Sequence, residues 1–502
     1  MLSLGLLLVS CSFFNRIVFL PSPSPDTSTE PAASADSTSA AREDRSIFEA
    51  GLVPSAQSVL NGLDGATVYN IELRIADDLL HVAGSEEVRY TNTEDVGLNE
   101  VQFRLFPNLL GGEMTVSHLR ADGSPVAPEF ELEGSLMRVP LSRLLEPGQS
   151  VILQMDFAVT VPQSVELSYG VLAYYDNVLT LAHAYPMIAV YDDEGWNAEI
   201  PPQEGDLTFA GASFFVVKIT APIDLTLVTS GQRVSRDEGN QFQRLTVASG
   251  PARDFYLAAS PDYEEVSQTF GEVTIRSYAP SELRAGSQKA LDAASRALTV
   301  FSARYAPYPY TELDIVSTPT LALGVEYPGM IAIASRIYSA DTEGAGNSAK
   351  EVMEATVAHE TGHQWFYNLV GNDQLDDPWL DESLTQFATL QYFADEYGSN
   401  GEAGFRASLE MRWAGMDHAK VPISLPVASY QGAEYSAIIY GRGPLFFVAL
   451  REEMGIEAFD SFLKDYTQTL SWGIATAETM QSIAEKHCDC SLQQIFDEWV
   501  YP

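Results

Sequence analysis

The chain has 502 residues, enough for two or three domains with ample core, and 46% of it is apolar, an ordinary globular content. Its 28 basic side chains face 69 acidic ones, a formal net charge of −41. A surface so short of bases argues against nucleic acid as a partner and reads as a solvated acidic face.

Residues 2–9 are apolar but too few to span a membrane. They run into Leu8-Val9-Ser10-Cys11, which resembles a bacterial lipoprotein cleavage box with Cys11 as the lipidated residue. An ordinary cleaved signal, or an uncleaved anchor over residues 1–20, stays open beside that reading, because no Lys or Arg precedes the apolar run. The expectation is an exported protein, lipid-anchored on the outer face of a bacterial cell membrane. One acyl chain is a marginal tether, so stable anchoring takes further acylation. Residues 21–60 open on a stretch rich in Pro, Ser, Thr and Ala and are expected to form a disordered spacer.

Between residues 61 and 262, short alternating runs are separated by Gly, Pro, Asn and Asp. They predict strands at 68–75, 87–90, 101–105, 151–159, 214–219 and 245–247. Several short strands with long connections suggest an antiparallel β-saddle or sandwich domain. Residues 263–502 read differently: a long helix at 283–306, strands at 313–317 and 330–334, then mostly helices. The fold class is therefore α+β and multidomain. Near the end, Cys488 and Cys490 are too few for a zinc knuckle and too close for an easy disulfide; they are expected to be structural or free thiols.

His359-Glu360-Thr361-Gly362-His363 lies in residues 349–369, predicted to be a helix that stops near Gly371. Positions i and i+4 share a helix face, so His359 and His363 can reach one ion with Glu360 beside them. Two neutral imidazoles suit zinc, and a neighbouring carboxylate suits a base acting on zinc-bound water. A catalytic zinc takes three protein ligands and keeps one open position. Trp379-Leu380-Asp381-Glu382-Ser383 opens a second predicted helix, with start chemistry at Asp377 and Pro378 and a stop at Gly398. Glu382, eighteen intervening residues after His363, is the expected third ligand of one Zn2+ per chain.

The H-E-x-x-H-x18-E spacing with its W-L-x-E context resembles the aminopeptidase N family of gluzincin metallopeptidases. The resemblance extends over residues 60–502 and includes Arg104-Leu105-Phe106-Pro107-Asn108, residues 185–196 and Phe496-Asp497-Glu498-Trp499. It implies a β-saddle domain followed by a thermolysin-like, mostly helical catalytic domain, in a short form lacking the family's helical C-terminal domain. Ser383 stands where relatives usually carry Gly. Asp192, Asp193 and Glu194 are either an acidic turn near the active-site mouth, as in relatives, or a polar hairpin.

Leu323-Gly324-Val325-Glu326-Tyr327-Pro328-Gly329 resembles the family's G-x-M-E-N exopeptidase motif, with Val for Met and Tyr-Pro replacing Asn. A strand here could pair with an extended peptide through Gly324 and Val325, the glycine allowing close backbone approach. Glu326, 33 residues before His359, would offer its carboxylate to the substrate's α-ammonium. In the family a second polar residue from the β domain shares that amine; residues 180–183 offer no clear Gln or Glu. Tyr440-Gly441-Arg442-Gly443 resembles the family's Y-x-K-G stretch, opening a helix, and Tyr440 would steady the oxyanion. Together these imply a zinc aminopeptidase acting on peptides with a free N-terminus, with Glu360 as general base. A gluzincin endopeptidase, an epoxide hydrolase and a non-catalytic surface-binding lipoprotein are the alternatives.

Overall fold

Alternation decides the amino-terminal part. On the strand Val68–Ile75 every second side chain, Tyr69, Ile71, Leu73 and Ile75, is buried while its neighbours face outward. This strand lies inside an eight-stranded sheet. His81–Thr91, Ser150–Thr160, Glu113–Ala121 and Ser124–Pro125 follow on one side, and Ser213–Pro222, Phe242–Ala252 and Gln232–Glu238 on the other. Pairing is antiparallel throughout except between Val68–Ile75 and Ser213–Pro222, which run parallel. Two four-stranded sheets join the same apolar core, one around Val178–Ala182 and one around Leu98–Arg104. The computed structural model describes residues 44–202, 205–339 and 349–502. The signal or anchor segment, Cys11 and the first part of the spacer lie outside the described residues.

A second sheet carries the site. Its five strands run in the order Tyr263–Phe270, Val273–Pro280, Glu312–Thr318, Met330–Ala334, Gly324–Tyr327, with the three central ones parallel. Ile315, Ile331 and Ile333 point into the helical core, while Val316, Met330 and Ala332 point into the β core. Both faces are covered, which is why Met330–Ala334 reads as an unbroken apolar run and is buried along its whole length. The helices Arg284–Arg304, Ala349–Gly362, Leu384–Ala414, Gly443–Met454 and Ile456–Thr469 contribute buried side chains to the helical core.

Four sequence expectations change. Residues 46–60, expected to continue the spacer, form the single turns Ser46–Gly51 and Gln57–Asn61 instead. Three apolar side chains hold them: Phe48 packs 4.9 Å from Phe214, and Leu52 and Val53 enter the helical core. The helix expected over residues 349–369 ends at Gly362. Beyond it the N–H groups of Asn368, Leu369 and Val370 donate five residues back, to the carbonyls of His363, Gln364 and Trp365, instead of four, and the carbonyls of Tyr367, Asn368 and Leu369 accept from buried Arg253. At Gly398 (φ 65°) the second helix breaks as expected, but a further helical stretch continues to Ala414. Cys488 and Cys490 are joined in a disulfide, their Cα atoms 5.1 Å apart. Asp489 between them adopts a left-handed conformation (φ 52°) at the end of Ala477–Cys488, which turns Cys490 back onto its partner.

Candidate active site

His363 lies one residue past the helix end, yet its N–H still donates to the His359 carbonyl at 3.3 Å, so the i+4 relation survives. The Nε2 atoms of the two imidazoles are 3.2 Å apart, and His359 Nε2 is 3.0 Å from Glu382 Oε2. His363 Nδ1 donates to the Phe366 carbonyl at 2.9 Å, which leaves its Nε2 lone pair facing the cluster. Glu382 comes from the π-helical turn Trp379–Ser383 and Tyr440 from a second π-helical turn, Ile438–Arg442. Such turns alter side-chain direction within a helix and collect at functional sites. The Tyr440 hydroxyl donates to Glu382 Oε1.

Ser383 fits without disturbing Glu382. Its hydroxyl donates to the Ile439 carbonyl at 2.6 Å, and the space it needs is left by Gly443, where a Cβ would collide with it.

The strand Gly324–Tyr327 is the sheet edge beside the helix Ala349–Gly362, and Gly324, Val325 and Glu326 all line the cleft above the cluster. Gly324 leaves room for Glu360 itself: a Cβ there would stand 2.5 Å from Glu360 Cγ. Gln364 clamps the turn after this strand, donating to the Tyr327 carbonyl and accepting from Gly329 N–H, each at 2.9 Å. Glu326 accepts from Gln374 Nε2 at 3.2 Å, and the same nitrogen donates to Asp381 at 2.7 Å.

Charge in the cluster is unbalanced. Burial disfavours charge on both imidazoles. At His359 burial prevails and the pKa falls, whereas at His363 the carboxylates of Glu326, Glu382 and Glu360 outweigh it and hold the pKa well up. Burial pushes Glu360 well above the usual carboxylate range, with Glu326 and Glu382 adding to the effect. It raises Glu326 too, and Asp381 up to about 8. At Glu382 burial acts the same way, but hydrogen bonds with His359 and His363 hold it well below the usual range. Two imidazoles and a carboxylate converging amid surplus negative charge fit a divalent cation, and the N2O donor set suits zinc.

Some sequence expectations lie elsewhere. Asp192, Asp193 and Glu194 form a tight hairpin between Tyr191–Asp192 and Gly195–Trp196 and do not line the cleft. Arg442, the counterpart of the Lys in Y-x-K-G, turns into the core. It donates to the carbonyls of Val421, Glu498 and Trp499 at 2.8, 2.7 and 2.6 Å. His183, in the stretch where a Gln or Glu was sought, is paired with Asp254 at 3.0 Å. The second acid near Glu326 is Asp206, from the connection between the small hairpin and Ser213–Pro222; its carboxylate lies within 4.8 Å of those of Glu326 and Asp381. Burial and the charge of Glu326 push its pKa well up. A lone Asp in a loop carries no periodic or motif signal.

Residues 289–499 match the peptidase family M1 domain. They belong to peptidase family M1. The M1 domain thus runs from the helix Arg284–Arg304 to the chain's last helix and contains all three candidate zinc ligands. The chain is similar to aminopeptidase M1-B of Oryza sativa subsp. japonica, 25% identical over 57% of this chain and 34% of the relative. It is also similar to aminopeptidase Q of Acinonyx jubatus, 24% identical over 74% of this chain and 40% of the relative. It therefore spans well under half the length of these relatives. In fold it resembles an M1 zinc metallopeptidase mutant from Deinococcus radiodurans bound to a Tyr-Ser-Ala substrate. The TM-score is 0.66 at 21% identity, over 87% of this chain and 93% of that one.

Proposed function

We propose that this protein is a zinc-dependent aminopeptidase that removes residues one at a time from the free N-terminus of peptides. The observation that carries the reading is Glu326: its carboxylate lies on the edge strand beside the candidate metal site, within 4.8 Å of ligand atoms of Glu360 and His363. A metal site alone does not separate an aminopeptidase from an endopeptidase. A buried acid one residue from the scissile bond does, because it needs a charged amine to neutralise it.

His359, His363 and Glu382 would hold the zinc. When bound, the ion supplies Lewis acidity to a water and to the peptide carbonyl. The substrate backbone pairs with the edge Gly324–Tyr327, while Glu326 and Asp206 hold its ammonium. Glu360 takes a proton from the attacking water and passes it to the leaving amine. Tyr440 turns its hydroxyl from Glu382 to the developing oxyanion. The Tyr-Ser-Ala bound by the Deinococcus radiodurans relative supports a peptide substrate.

The test is a timed digest of one peptide, free and N-acetylated, followed by mass spectrometry with and without a chelator. Stepwise trimming of the free form, at least roughly 100-fold faster than any cleavage of the blocked form, is expected. Internal cleavage of both at comparable rates would move the protein to the endopeptidase reading. Export and lipidation at Cys11 belong to the same proposal, supported by the Leu8-Val9-Ser10-Cys11 stretch. Mass spectrometry of the mature amino terminus tests it, and an unmodified Cys11 would exclude lipidation.

A further inference from the structure

We propose that Arg412 receives the substrate's C-terminal carboxylate, so that this cleft is built for di- and tripeptides. The inference rests on the aminopeptidase reading and names its substrate class.

Arg412 stands two residues before the end of the helical run Leu384–Ala414, beyond the break at Gly398. Its guanidinium carbon is 5.6 Å from the centre of the Tyr440 ring, and that ring is 6.0 Å from the ring of His359. It lines the same cleft of about 1330 Å³ as Glu326, Glu360, Glu382 and Asp206, and it is the only Lys or Arg among the described residues that do so.

Elsewhere in the cavity wall, carboxylates dominate, yet none of the described carboxylates pairs with Arg412. Among the described residues its guanidinium makes one hydrogen bond, from Nη1 to Ser436 Oγ, and that is long at 3.5 Å. The other arginines near the site are committed: Arg253 to the carbonyls after His363, Arg442 to three carbonyls at the chain end, Arg296 to Glu354. A guanidinium carries five N–H donors in a planar fork that matches a carboxylate, and at Arg412 most of that capacity is open towards the cleft.

Distance then selects the ligand. The ammonium end of the substrate is assigned to Glu326 and Asp206, and the scissile carbonyl to the space between Glu360 and Tyr440. By those two ring distances the guanidinium carbon lies no more than about 12 Å from the centre of the His359 ring. An extended peptide advances about 3.3–3.6 Å per residue. One or two residues after the scissile bond therefore bring a free carboxylate to the guanidinium, whereas a longer peptide presents a neutral amide there. Among the described residues that line this acidic cleft a peptide carboxylate meets no other Lys or Arg, and it is repelled unless it reaches this one.

The test compares kcat/KM of the zinc-loaded protein for a tripeptide with a free carboxylate and for the same tripeptide as its C-terminal amide, in wild type, Arg412→Gln and Arg412→Lys. The free acid is expected to be preferred by roughly 10- to 100-fold in wild type, the span of a charge-assisted contact. The ratio should fall to near one in Arg412→Gln, with part of the preference kept in Arg412→Lys. A wild-type ratio near one overturns the proposal and leaves the aminopeptidase reading standing, and needs no variant to fold. An equal loss on acid and amide in Arg412→Gln also overturns it, because the arginine would then act through Tyr440. If neither tripeptide is trimmed while an N-acetylated peptide is cut internally, the aminopeptidase reading itself falls.

Discussion

Replacing Gly324 with alanine tests whether the edge strand and the proposed general base, Glu360, are fitted to one another. A Cβ at Gly324 would lie 2.5 Å from both Cγ and Cδ of Glu360. Carbon atoms rest at about 3.5–4.0 Å, so one partner must give way by about 1 Å. The strand is the stiffer of the two: Gly324 is paired in register with Ile333, and Ala334 N–H donates to the Leu323 carbonyl at 2.9 Å. The carboxylate of Glu360 is the end that moves. A base must lie about 2.6–3.2 Å from the atom whose proton it takes, and a displacement of 1 Å costs on the order of 10²-fold in rate. Gly324→Ala should therefore lower kcat for an aminoacyl amide about 100-fold. Zinc content by elemental analysis should not change, because Glu360 is not among the converging ligand atoms of His359, His363 and Glu382. The decisive measurement is a double-mutant cycle: in a Glu360→Gln background, whose base is already disabled, Gly324→Ala should cost almost nothing further. A kcat within about threefold of wild type, or a full loss repeated in the Glu360→Gln background, would refute the steric coupling.

Other outcomes follow from the same geometry. Glu382→Ala should lose zinc and activity together, and full zinc occupancy by elemental analysis in that variant would remove Glu382 from the ligand set. Tyr440→Phe should lower kcat about 100-fold with KM near wild type, as for a group used only in the transition state; steady-state kinetics check this, and a loss confined to KM would contradict it. Asp377 should make stability depend on pH. Burial pushes its carboxyl from 3.8 up to about 6. The folded state thus holds the proton more tightly, and stability falls as pH rises from about 4 to about 6, by ~3 kcal/mol at most, and stays lower above that. Asp377→Asn keeps an acceptor for Trp379 Nε1, which bonds Asp377 at 3.0 Å, and removes the charge. Its melting temperature should exceed wild type at pH 7.5 and match it near pH 4, and equal curves at both pH values would show that the carboxyl titrates normally.

What the sequence determined by itself is local. His359 and His363 share a face because four residues on a helix return to it. Glu382 follows at a spacing that one packed helix pair can meet, and Val68–Ile75 buries alternate residues because a strand alternates. These features need only the geometry of one element and its caps. The tertiary structure decided the rest, through contacts between segments far apart in the chain. Arg253 fixes the stretch after the candidate metal-site helix by donating to carbonyls more than a hundred residues away. Gly324 is small because Glu360 occupies the space beside it, and Ser383 is tolerated because Gly443 leaves a gap. Asp206 reaches Glu326 from an irregular loop, and Arg412 reaches the cleft only because the chain turns at Gly398 and resumes its helix. The Cys488–Cys490 bridge depends on one left-handed residue. Gly324 and Ser383 lie in or beside motif stretches, but no period or motif announces any of these contacts. Each depends on which side chain happens to fill a shared volume or satisfy a buried polar group, and that is settled only when distant parts of the chain pack together.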